Sequence, residues 1–67
     1  MRDWLIALRH EKGLTEKEVS IALNVAQPHY HRIEHGDGDP SVRLAKRIGE
    51  FYGIDWTRLF DAERNSA

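Results

Sequence analysis

Cysteine is absent from this 67-residue chain, and with it go disulfide staples, thiolate metal sites and cysteine nucleophiles. Proline occurs twice, at Pro28 and Pro40, too sparsely to interrupt helices except at those points. No uninterrupted apolar run of useful length is present. The opening stretch MRDWLIALRHEKG carries charges throughout, so neither a signal peptide nor a membrane span is read there, and a soluble cytoplasmic protein is expected. A charge surplus is missing too: ten Lys plus Arg against eleven Asp plus Glu leave a net charge of −1. That balance by itself advertises no nucleic acid, membrane or acidic partner, so any electrostatic recognition must be local. The length allows one small domain with a single modest core and hardly a peptidase cleft.

What is present is helical punctuation, dividing the chain into five short segments without internal repeats. Asp3 can cap a first helix whose Trp4, Leu5 and Leu8 fall at helical spacing, and Gly13 is a suitable left-handed stop. Thr15 and Glu18 form a capping-box pattern opening a helix that carries Val19, Ala22 and Leu23 inward. Asn24 tolerates the left-handed conformation needed to end it. A third helix should start near Ala26 or Gln27, with Pro28 in its first turn and Gly36 at its end. After the turn DGDP, Ser41 can cap a fourth helix through about Tyr52, with Gly53 as its stop. Asp55 then caps a last short helix, WTRLF. The reading is an all-α bundle over residues 1–60, each helix too short to stand alone, followed by a short polar tail, DAERNSA, over 61–67.

Residues 29–36, HYHRIEHG, contain H-x-x-E-H, a helical zinc signature in which two histidines bind metal and the glutamate serves as base. Helical geometry argues against that use. With Tyr30 at the core, Ile33 and Ala26 fall beside it and Glu34 lies about 40° away, while Pro28, Arg32 and His35 point outward and His31 sits at their edge. Glu34 therefore faces the bundle more than His35 does. His31 and His35 could clasp a metal adventitiously, but catalytic zinc needs a third ligand, and none is evident: His10 lies on the first helix with no motif around it. No enzyme, no metal site and no cofactor are expected.

Two short helices joined by a brief turn and followed by a better-capped pair suggest a helix-turn-helix. The blocks LRHEKGLTEKEVS, LNVAQPHYHRIEHG and DPSVRLAKRIGEFYGIDWTRLF, with their spacing intact across residues 4–60, resemble the Cro and phage-repressor (XRE-type) helix-turn-helix domain. That resemblance implies a compact five-helix bundle of the lambda-repressor-like DNA-binding type, with the third helix in the major groove. It also implies that Glu34 pairs with Arg9 on the first helix. The chain departs from the family pattern in several places. Glu16 stands where a glutamine usually meets a DNA phosphate, and a carboxylate there repels phosphate. Ser20, Asn24 and Ala26 replace a small residue, a glycine and a hydroxyl cap, which are tolerable exchanges. Asp37, Gly38 and Asp39 occupy a stretch that usually carries basic or polar residues, weakening the expected phosphate clamp.

The outward residues of the third helix are then candidates for base contacts. Gln27 suits adenine and Arg32 guanine; Pro28 can offer apolar contact to a thymine methyl, and His29 and His31 can reach bases or phosphates. The bland alternative for each is a solvated side chain. Thr15, Lys17, His35 and Arg43 are candidates for phosphate contacts, which set register without reading sequence. Between Gln27 and Arg47 the basic residues Arg32, Arg43, Lys46 and Arg47 exceed Glu34, Asp37 and Asp39 by one.

The resemblance implies a homodimer on two half-sites of double-stranded DNA. Leu44 and Phe51 share a side face of the fourth helix, and Phe60 follows close behind; exposed, they would form an apolar patch for a partner, whereas under Trp4 and the first helix they would be core. Trp56 and Leu59 match family core positions. A DNA-binding transcriptional regulator, a repressor or small switch of a phage or mobile element, accounts for the motif and for Gln27 and Arg32. A protein-binding module that kept the fold but lost DNA affinity, an antirepressor or scaffold, accounts better for Glu16, Asp37 and Asp39. With so little chain beyond the fold, no small-molecule effector is expected.

Overall fold

The computed structural model describes residues 1–61; the tail read over 61–67 thus lies outside the described residues beyond Asp61. Four α-helices follow one another: α1 (Asp3–Glu11), α2 (Glu16–Leu23), α3 (Gln27–His35) and α4 (Val42–Tyr52). The fifth element, Trp56–Phe60, is a 3-10 helix and not the α-helix expected there. Five residues cannot repay the nucleation of an α-helix, and the tighter turn suffices to bring Leu59 into the core. Among the described residues there is no strand, and no helix is long and apolar enough to cross a membrane.

The helix ends follow the local sequence closely. Thr15 accepts a hydrogen bond from the Glu18 amide while the Glu18 carboxylate accepts one from the Thr15 amide, completing the capping box. Ser41 accepts from the Leu44 amide and Asp55 from the Thr57 amide. Asn24 takes the left-handed conformation at φ 57°, the one non-glycine to do so among the described residues, and the Val25 amide reaches back to the Ser20 carbonyl. This turns the chain from α2 into α3 within three residues, 24–26.

One expectation about the ends is corrected. Asp3 does not cap α1; it is the first helical residue, and Arg2 occupies the cap position without a side-chain cap bond. The cause is Arg2 itself, 5% exposed although charged. Its guanidinium donates to the carbonyls of Ile33, Gly38 and Leu59 and to the Asp39 carboxylate, and its backbone amide donates to the Glu34 carbonyl. Four hydrogen bonds to carbonyls and a carboxylate offset the desolvation of that charge, leaving only Nε without a partner. They tie the start of the chain to the end of α3 and to the 3-10 helix.

The core gathers Leu5, Val19, Leu23, Tyr30, Ile33, Leu44, Ala45, Ile48, Tyr52 and Leu59. Each large member contributes roughly 1.5–3 kcal/mol by leaving water, so no single helix can hold the fold. Leu44 is 6% exposed and belongs to this core, which removes it from the expected partner-facing patch. The reason is that α4 is covered on two sides, by α2 and by the 3-10 helix. Phe51 and Phe60 are half-buried, but the Lys12 ammonium lies 5.5 Å from the Phe51 ring and Phe60 meets Trp56 edge-on.

Candidate nucleic-acid interface

α3 sorts its residues sharply. Tyr30, Ile33 and Glu34 are buried; Gln27, Pro28, His29, His31 and Arg32 are all exposed. Pro28 sits in the first turn, where a missing amide hydrogen sacrifices no helical bond, so the apolar contact it could offer costs the helix nothing. Arg32 is exposed and makes no ion pair among the described residues. Thr15, Lys17 and Arg43 are exposed as well, with Thr15 and Lys17 at the start of α2 and Arg43 in the first turn of α4.

Position and angle of α3 are set by charged groups beneath it. The Arg9 Nε lies 2.7 Å from Glu34 Oε2 and its Nη2 lies 3.1 Å from Oε1, a two-pronged pairing between α1 and α3. Glu34 is fully buried, and the remaining arm of Arg9 donates to the Leu14 carbonyl at 3.0 Å. Hydrogen bonding to Glu34 outweighs partial burial and raises the Arg9 pKa above its ordinary value. The glutamate of H-x-x-E-H is therefore committed to Arg9 and is no base facing a cleft. The Tyr30 and Tyr52 hydroxyls meet at 2.6 Å, linking α3 to α4. Arg47, which the sequence did not single out, donates from α4 to the Leu23 carbonyl at the end of α2.

The outer side of α2 departs from expectation. Glu16 does not stand open toward solvent: its carboxylate lies 2.9 and 3.1 Å from His31 Nδ1, and 3.5 Å from His35 Nε2. His35, read as pointing outward toward phosphate, is turned against Glu16 and is half-buried. A third ligand, not expected from the sequence, does accompany the two histidines, because the packing of α2 against α3 brings Glu16 to them. Partial burial pushes the Glu16 carboxyl up, but hydrogen bonding to His31 and the nearby Arg9 charge more than offset it, leaving the pKa below its usual value. Asp39 is occupied by Arg2, so two of the acidic departures already have cationic or hydrogen-bonding neighbours. Asp37 stays exposed after α3.

A family model described as Helix-turn-helix matches residues 5–59. The chain belongs to the XRE-type helix-turn-helix family. The sorted α3 and the tight 24–26 turn are thus the two signature parts of a helix-turn-helix. This chain is 46% identical over 61 residues to an uncharacterized HTH-type transcriptional regulator, YqaF, of Bacillus subtilis (strain 168), covering 91% of this chain and 80% of that one. It is 32% identical over 60 residues to an uncharacterized HTH-type transcriptional regulator of Methanocaldococcus jannaschii, covering 90% of this chain and 91% of the relative. No solved structure matches.

Proposed function

We propose that residues 1–60 form a sequence-specific, DNA-binding transcriptional regulator that docks α3 in the major groove. The observation that carries this reading is the sorting of α3: Tyr30, Ile33 and Glu34 fix the helix to the bundle, while Gln27, Pro28, His29, His31 and Arg32 are left exposed on it. Gln27 and Arg32 then pair with adenine and guanine edges, and Thr15, Lys17 and Arg43 meet the phosphates on either side. The helix-turn-helix family and the regulators it resembles support the assignment. Members of such a family act by binding, and no catalytic step is assigned to the chain.

The regulator acts as a repressor or small switch of a phage or mobile element, pairing as a homodimer on two half-sites about one helical turn apart. Phe51 and Phe60 remain the contacts for pairing, now without Leu44. A protein-binding module is the second reading, favoured by Asp37, which lies exposed immediately after α3. Fluorescence anisotropy against a random duplex library at two salt concentrations, with sequencing of the bound fraction, separates the two. Enrichment of a two-half-site sequence, lost in Arg32→Ala, is expected. Salt-insensitive or undetectable DNA binding would favour the protein partner instead.

A further inference from the structure

Glu16, His31 and His35 are given no specific base or phosphate contact in that reading, although His31 is among the exposed residues of α3, and they converge. One carboxylate oxygen and one ring nitrogen from each histidine lie within 4.8 Å of one another, on adjoining helices, at the surface. The His31 and His35 ring centroids are 4.0 Å apart, one helical turn separating their Cα atoms. We propose that these three residues form a binding site for a divalent transition metal such as zinc, clamping α2 to α3 across the helix-turn-helix.

Chemistry and distance both favour that ion. Two imidazoles and one carboxylate are borderline donors that suit zinc, whereas calcium and magnesium demand more oxygens than this cluster holds. In a tetrahedral zinc site with bonds of about 2.0–2.1 Å, ligand atoms stand roughly 3.4 Å apart. Glu16 Oε2 already stands 3.1 Å from His31 Nδ1 and 3.5 Å from His35 Nε2, with all three ligand atoms within 4.8 Å of one another, so modest side-chain rotations suffice. Glu16 and His35 are 19% and 28% exposed, held in place by packing, while His31 at 52% leaves the cluster open to an ion from solution. A fourth position would be taken by water. The acid of H-x-x-E-H has no part in this set: Glu34 is turned inward to Arg9, and the third ligand comes from another helix.

The site also bears on DNA, and this part rests on the DNA-binding reading. With neutral histidines the cluster carries one negative charge from Glu16; a bound divalent ion makes it one positive charge, beside the start of α2. Phosphate repulsion by Glu16 becomes attraction, so the metal should tighten DNA binding and steepen its salt dependence.

Zinc titrations of the wild-type chain, His31→Gln, His35→Gln, Glu16→Gln and the control His29→Gln test the site by calorimetry, with cobalt absorption reporting coordination. Saturating zinc should raise the melting temperature by on the order of 10 °C. Binding should be one ion per chain, weakened at least about tenfold by each of the first three substitutions and unchanged by His29→Gln. Magnesium should compete poorly. Circular dichroism confirms that each variant is folded before titration. Zinc affinity unaltered by Glu16→Gln would overturn the three-residue site and leave an ordinary histidine pair, and absence of zinc binding would overturn it outright. Anisotropy on duplex DNA with zinc or with chelator separates the two readings. DNA binding without zinc binding overturns the metal site, and zinc binding without any DNA binding overturns the DNA reading.

Discussion

Replacing Glu34 with glutamine puts the joint between α1 and α3 to the test. The carboxylate is fully buried and accepts two bonds from Arg9, whose side chain is itself only 12% exposed. Glu34→Gln keeps the volume but strands a guanidinium in the interior, a break that costs about 3–5 kcal/mol in buried pairs. A domain of this length is stable by roughly 0.05–0.15 kcal/mol per residue, or ~3–10 kcal/mol in all. The substitution should therefore consume a third or more of the stability and leave the variant near its unfolding midpoint if the wild type is at the low end. In urea, with a slope of about 1 kcal/mol/M for so small a protein, the midpoint should fall by ~3 M or be lost altogether. Arg9→Met combined with Glu34→Leu removes both charges, and apolar replacement of a buried pair is often neutral. Recovery should be incomplete, because Arg9 also satisfies the Leu14 carbonyl. Urea melts of the wild type, Arg9→Met, Glu34→Leu and the combined variant close a double-mutant cycle. A loss below about 1 kcal/mol for Glu34→Gln, or strictly additive single effects, would refute the account of Arg9 and Glu34 as the strut beneath the reading helix.

Gly49→Ala should destabilise by about 1–3 kcal/mol, although alanine normally favours a helix, because its Cβ would stand 2.9 Å from the Ile54 carbonyl oxygen and from Trp56 Cβ; a raised melting temperature would contradict this. Thr15→Ala removes half of the capping box and should cost about 1 kcal/mol, read by chemical denaturation. Arg2→Ala should cost more than Asp39→Asn, since the guanidinium serves three carbonyls in addition to that carboxylate, which is 64% exposed; equal losses would reduce Arg2 to a surface ion pair. Burial, assisted by Glu34 and Tyr52, pushes the Tyr30 hydroxyl far above its ordinary range, and burial raises Tyr52 as well. The unfolded chain releases these protons near pH 10 while the native one retains them, so their contribution is whole below about pH 10 and is lost as pH rises beyond it. Urea midpoints between pH 8 and 11 should fall with pH, and less steeply in Tyr52→Phe; an identical slope would refute the role of the pair.

Helix boundaries were legible because caps and stops are local. Thr15 with Glu18, Ser41 before α4 and Asn24 after α2 each act within three or four residues, and the structure keeps all of them. The inward direction of Glu34 followed from helical geometry, while its partner Arg9 followed from resemblance, since pairing across 25 residues leaves no periodic trace. Arg2 was invisible for the same reason. A charge at the second position reads as solvated until the carbonyls of α3 and the 3-10 helix are seen around it. His35 was misplaced because angle around one helix says nothing about a neighbour crossing above it, and Glu16 arrives from exactly such a neighbour, α2. Leu44 stood between partner patch and core for the same reason: which neighbours roof that flank of α4 is not written in α4 itself, and the bundle buries it.

The grip of Arg2 on the Leu59 carbonyl spans 57 positions, nearly the whole described chain. A ribosome emitting about 5–20 residues per second therefore takes ~3–11 s between delivering the two partners. During that interval the guanidinium waits without its last acceptor. Closure of the domain is in this sense a late event in its own synthesis, performed by a residue that precedes α1 on one carried by the 3-10 helix.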